Sequence, residues 1–166
     1  MSDPSYVTAP LARAEDAFEY IGKGKPTFED GIDQDEEWTT QLTKACKYLE
    51  ACRTLRSQNG FNGAVIELSF SAIERSLEGY LLQDTKDSIA DYLDHEFVYE
   101  RAGARGLFTR DTAQKLKELY GTNRTEHYYG KLAPTQEKAD AMFELAEGVH
   151  QHVTDQINNS GVCLCD

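Results

Sequence analysis

The sequence has few residues that break helices. Of its four prolines, only Pro26 and Pro134 lie beyond the first ten positions, so long segments run free of the steric block and lost N–H that proline brings. No run alternates apolar and polar residues with a period of two, which argues against half-buried strands. No stretch approaches the roughly 20 apolar residues of a membrane span. Met1-Ser2-Asp3-Pro4 has neither the basic start nor the apolar core of a signal peptide. These absences predict a cytoplasmic protein with no membrane partner. There is no phosphate-cradling loop, because Gly22-Lys23-Gly24-Lys25 lacks the required spacing and strand context. No Gly-x-Ser-x-Gly nucleophile elbow is present either. Positive charge is also short: 17 Lys and Arg stand against 29 Asp and Glu, for a net charge of -12. An acidic protein of this kind suits solubility at high salt, and a uniformly acidic surface would repel nucleic-acid phosphate.

What is present supports one folded domain. A chain of 166 residues can bury a sizeable core, and seven Phe, nine Tyr and one Trp exclude global disorder. The charge is not uniform. Residues 44–64 carry Lys44, Lys47, Arg53 and Arg56 against Glu50, and residues 101–138 carry eight bases against four acids. An anion-facing surface assembled from two elements is therefore open to an otherwise acidic chain, beside the plainer reading of ordinary surface variation.

The periodicity is helical throughout. Leu11, Ala14, Phe18 and Ile21 space a short helix over 11–21, broken by Gly22-Lys23-Gly24-Lys25-Pro26. Trp38, Leu42, Ala45, Leu49, Cys52 and Leu55 form one stripe of a helix over 35–57, ended by Gln58-Asn59-Gly60. Ile66, Phe70, Ile73, Leu77 and Tyr80, widened by Val65, Leu68 and Ala72, predict a central helix over 61–83. Ile89, Leu93 and Phe97 suggest a shorter helix over 86–101. Gly103 and Gly106 mark a turn, and Thr109 caps a helix over 109–128. The last helix, 135–158, buries Ala139, Met142, Ala146, Val149, Val153 and Ile157. The expected fold is an all-α bundle over 35–158. Residues 1–34 form an N-terminal segment with a short helix, and 159–166 a flexible Cys-containing tail.

The densest polar and aromatic cluster runs from Tyr120 to Gly130. At 100° per residue, Leu116, Tyr120, Asn123 and His127 fall within about 60° of one another on a helix. A histidine one turn from an amide suits proton transfer, and Arg124 beside it suits a phosphate. A helix end whose His and Asn satisfy local backbone groups fits the same spacing.

This segment, with Pro134, Gln136-Glu137-Lys138-Ala139 and the long final helix, resembles the C-terminal half of HEPN (higher eukaryotes and prokaryotes nucleotide-binding) domains. The helix from Ala64 to Leu82, with Ser69, Ala72, Glu74 and Leu77, is similar to that family's second helix. The resemblance covers roughly residues 38–158. It implies a four- to five-helix bundle, homodimeric, that binds RNA or a nucleotide or acts as a metal-independent ribonuclease in a toxin–antitoxin or defence system. A nucleotidyltransferase is the implied protein partner. Asn123 and His127 match the polar residue and the His of the family motif, while its Arg falls on Thr122. Three alternatives follow: Arg124 supplies the charge, a partner subunit supplies it, or the protein binds without cutting. The implied catalytic set is His127 as acid or base, Arg124 as phosphate contact and Asn123 as the group orienting the His. Arg101, Arg105, Arg110 and Lys115 are the expected RNA contacts. The alternative class is a non-catalytic bundle that scaffolds or neutralises a partner protein.

No cofactor or metal is expected. Cys46 and Cys52, about 240° apart on one helix, read as small buried apolar groups. His150-x-His152 and Cys163-x-Cys165 match no strong zinc pattern, since residues two apart on a helix point about 200° apart. His95, amid Asp91, Asp94 and Glu96, reads as a surface group.

Overall fold

A computed structural model describes residues 2–19, 27–157 and 165. Among them are six α-helices and no strand, as expected of an all-α bundle. They are α1 (Ser5–Phe18), α2 (Glu37–Gln58), α3 (Asn62–Asp84), α4 (His95–Ala104), α5 (Arg110–Asn123) and α6 (Gln136–Gln156). A 3₁₀ turn, Ile89–Tyr92, precedes α4, and a π-helical turn, Arg124–Tyr128, extends α5.

The centre is α3, which packs against α2, α6 and α4. Its stripe of Ile66, Phe70, Ile73 and Leu77 is buried, as the spacing predicts, and so are Leu42, Ala45, Leu49 and Cys52 of α2. All six apolar positions expected of the last helix are buried. The α2–α3 turn uses Asn59 and Gly60, both with positive φ (58° and 80°), a backbone region that glycine enters at no steric cost. Within the hairpin, a Cβ on Gly79 would lie 2.7 Å from Leu42 Cγ. The missing side chain is what lets α2 and α3 close up. Caps follow simple chemistry. Thr109 Oγ1 accepts the Thr112 N–H, as expected of that residue, and Thr135 Oγ1 accepts the Lys138 N–H. Arg53–Glu147 and Arg56–Asp140 pairs join α2 to α6, with the Arg56 guanidinium 4.3 Å above the Phe143 ring.

Four expectations are corrected. The helix expected at 11–21 starts earlier, at Ser5, and ends at Phe18 with every residue exposed; residues 20–26, including the expected Gly-Lys break, lie outside the described residues. The helix expected at 86–101 is instead a 3₁₀ turn followed by α4, and its apolar face differs. Leu93 is 81% exposed, while Tyr92, Val98, Tyr99 and Ala102 carry the burial. Ser88 and Asp91 close a reciprocal cap that starts the short turn, and Asp94 starts a new helix by accepting the Glu96 N–H. The α5 helix stops at Asn123, where the backbone switches to i→i+5 bonding. Finally, Cys46 is not a free apolar filler. It forms a disulfide with Cys165, 119 residues away, so the tail's Cys165 is tied to α2. Cys163 lies outside the described residues.

Candidate functional site

The π turn decides what the Tyr120–Gly130 segment can do. Arg124 C=O accepts from the Tyr129 N–H, five residues on, and the chain then folds back so tightly that a Cβ at Gly130 would collide with the Glu126 carbonyl. Uniform helical spacing does not hold through this turn. The three residues expected to act together are divided between two depressions on opposite flanks of α5.

The first is a pocket of about 310 Å³ between α3, α5, the π turn and α6. Ile66, Phe70, Leu119, Ala141, Met142 and Leu145 give it apolar walls; Thr122, Asn123, Glu126, His127 and Lys138 give it a polar end. Asn123 is buried, and its Nδ2 donates to Glu67 Oε1 at 3.0 Å. A carboxylate only accepts, so the amide is oriented with its oxygen turned away from Glu67. That oxygen, Asn123 Oδ1, is buried without a hydrogen-bond partner. His127 Nε2 lies 3.0 Å from Lys138 Nζ. An ammonium only donates, so Nε2 accepts and the proton of a neutral imidazole sits on Nδ1. Nδ1 is likewise buried without a partner. The polar end thus holds one unsatisfied acceptor and one unsatisfied donor. Buried polar groups are rarely left so, and each costs about 1–3 kcal/mol.

The second depression is a cleft of about 440 Å³ lined by Leu93, Asp94, His95, Glu96, Tyr120, Gly121, Arg124 and Thr125. His95 is not a plain surface group. Its Nδ1 lies 2.6 Å from Oε2 of Glu74, a buried carboxylate on α3. Burial raises the Glu74 pKa, while its hydrogen bonds with His95 and Tyr99 pull it back. An ionised Glu74 accepts the Nδ1 proton and leaves His95 Nε2 to the cleft. The His95 ring stacks on Tyr120 at 5.8 Å, and the Arg124 guanidinium lies 5.8 Å from the other ring contact, Tyr120's centroid, and 4.2 Å from Tyr128's. Arg124 also donates to Tyr129 Oη at 3.2 Å. Tyr128 and Tyr129 are exposed. Arg124 therefore belongs with His95, and Asn123 with His127. Sequence reasoning missed Glu74 and His95 as a pair because they meet only through the packing of α4 on α3, 21 residues apart.

Three of the four expected RNA contacts are already engaged by acids. Arg101 pairs with Asp87, and together with Tyr92 it holds that carboxyl at about 2. Arg105 pairs with Asp84, and Lys115 with Asp111. Arg110 makes no ion pair among the described residues. Half of the eight bases at 101–138 (Arg101, Arg105, Lys115 and Lys117) are thus paired in three dimensions with acids of α3's end, the segment just after it, α4 and α5.

No described helix is long and apolar enough to cross a membrane. No curated protein and no solved structure matches the chain. A family model does match, over residues 2–165, and the chain belongs to that family, described as a domain of unknown function, DUF8154.

Proposed function

We propose that the protein binds a nucleotide and seats its base in the pocket between α3, α5 and α6. The observation that carries this reading is the donor–acceptor pair at the polar end, His127 Nδ1–H and Asn123 Oδ1, both buried and unsatisfied. A nucleobase edge offers the complementary acceptor and donor side by side. Phe70, Leu119 and Met142 would cover its faces, and Lys138 would meet the phosphate. The resemblance to HEPN domains supports the same class of ligand, and extends it to an RNA strand bound by a homodimer. Titration calorimetry with purine and pyrimidine mononucleotides tests the reading. One base class binds, and Asn123→Leu or His127→Ala weakens it roughly 5- to 150-fold, the cost of a lost buried hydrogen bond. A folded chain that binds no nucleotide at millimolar concentration overturns it.

The Glu74–His95 hydrogen bond favours a second reading, a metal-independent ribonuclease working in the cleft. His95 Nε2 would take the proton of a ribose 2′-hydroxyl, Arg124 would hold the phosphate, and Tyr128 and Tyr129 would stack the flanking bases. Cleavage of single-stranded RNA in the presence of a chelator should vanish in His95→Ala and survive in His127→Ala. The reverse pattern would return the acid–base role to His127.

A further inference from the structure

A third histidine has a different environment. His150 of α6 is buried, and its Nδ1 lies 2.9 Å from Ser76 Oγ on α3. Ser76 spends its own proton on Ala72 C=O, at 2.7 Å. Its oxygen must then accept from His150, so Nδ1 carries the hydrogen and Nε2 presents a lone pair. Nε2 lies 3.6 Å from Cys46 Sγ of α2 and 3.2 Å from Cys165 Sγ. The three donor atoms all fall within 4.8 Å of one another.

We propose that the reduced protein binds one zinc ion through Cys46, Cys165 and His150, with Ser76 fixing the imidazole from behind. Tetrahedral zinc has bonds of about 2.3 Å to sulfur and 2.0–2.1 Å to nitrogen, which puts nitrogen and sulfur about 3.6 Å apart. The observed separations of 3.6 and 3.2 Å need little adjustment. The sulfurs themselves must part to about 3.8 Å, which the exposed Cys165 can supply by moving outward. Two thiolates balance the charge of Zn²⁺, so the buried site is neutral, and soft sulfur with imidazole selects zinc over magnesium or calcium. A hydrogen-bonded Nδ1 is the usual outer-shell support of a ligating histidine.

Disulfide and metal site exclude each other. With a peroxide as oxidant, the two zinc-bound thiolates lose one electron each and form the Cys46–Cys165 S–S bond. Hydrogen peroxide accepts these two electrons and two protons from solvent and leaves as two waters, and Zn²⁺ is released. Cys46 and Cys165 thus hold either a disulfide or, together with His150 of α6, a zinc ion.

The full chain, reduced and freed of metal, is titrated with zinc and, separately, with cobalt for its thiolate charge-transfer band. One ion binds per chain. Cys165→Ser, which changes an exposed residue, and His150→Ala abolish the band; Ser76→Ala weakens binding about 10- to 100-fold. Cys52→Ala, which removes a free buried thiol of α2 outside the cluster, leaves binding unchanged. Hydrogen peroxide then releases one zinc per disulfide formed, read by a chromogenic chelator. A reduced, helical chain that binds no zinc overturns the proposal. So does zinc binding that is undiminished in Cys165→Ser and His150→Ala, since it would place the metal elsewhere.

Discussion

The two flanks of α5 use histidine in opposite ways. In the pocket, His127 is held by a cation, Lys138; in the cleft, His95 is held by an anion, Glu74. An ammonium partner fixes a tautomer and leaves Nδ1–H as a donor for recognition. A carboxylate partner is the arrangement that orients a general base and stabilises the imidazolium it forms. The surroundings differ in the same sense. Apolar walls enclose the pocket and keep its two unsatisfied atoms from water, whereas the cleft is polar, open and flanked by exposed tyrosines. On the proposed readings, one side recognises a base and the other transfers a proton. The two histidines differ in partner, not in type.

Filling the pocket should break the comparison most completely. Ala141 lines the pocket yet is exposed on α6, so Ala141→Trp can occupy the cavity without overpacking the core. Nucleotide binding measured by calorimetry should disappear, with the melting temperature nearly unchanged and RNA cleavage in the cleft intact. Loss of cleavage together with binding would mean that the two depressions form one site.

The next effect concerns the carboxylates on α3. Glu74 and Glu78 are both buried, one turn apart. Glu74 is answered by His95 and Tyr99; Glu78 has only Arg75 on Oε1, and its Oε2 has no partner. Burial pushes the Glu78 pKa from 4.5 up to about 7, against the pull of Arg75. Between pH 4.5 and 7 the folded protein therefore keeps a proton that the unfolded chain has released, so stability falls as pH rises through this window. The full loss above pH 7 is about 3 kcal/mol. Denaturant melts of Glu78→Gln should show that fall flattened, with the variant more stable than the parent at pH 8. A parent whose stability does not fall between pH 5 and 8 would show that Glu78 stays charged when buried. Glu74→Gln sharpens the contrast. It keeps an acceptor for His95 but removes the charge, so cleavage should drop about 100-fold, while nucleotide affinity in the pocket stays within twofold.

The sequence made the bundle readable wherever one period runs unbroken. Ile66 to Leu77 and Ala139 to Val153 could be assigned a face because every turn has the same pitch, and Asn59-Gly60 and Thr109 announce ends by their own backbone chemistry. The candidate sites were only half readable for the same reason. Asn123 and His127 do share a pocket, but Arg124 is turned to the other flank, where a π turn that no spacing rule anticipates follows it. His95 with Glu74, and Cys46 with His150 and Cys165, are products of packing between distant segments. The charged residues next to His95 in sequence, Asp91, Asp94 and Glu96, are all acids, which is why it looks like a surface group. The segment charge count misled in the same way, because Asp84 and Asp87 lie in the acidic stretch of sequence but against Arg105 and Arg101 in space.

That cancellation makes the smallest effect the most telling about RNA. Arg105 and Asp84 are both partly exposed, and such a pair contributes about 0–1 kcal/mol. Arg105→Ala should therefore change stability by less than about 1 kcal/mol in a urea melt. Its effect on RNA affinity should also be small, because the guanidinium is already neutralised. Arg110, at the start of α5 and without an ion pair among the described residues, is the sharper probe. Arg110→Glu should weaken RNA binding more than Arg105→Glu does, and should lower the slope of affinity against salt by about one phosphate contact. Equal effects from the two reversals would mean that RNA displaces Asp84 from Arg105. The basic segment would then act as a unit after all, opened by the ligand and closed by the chain's own acids in its absence.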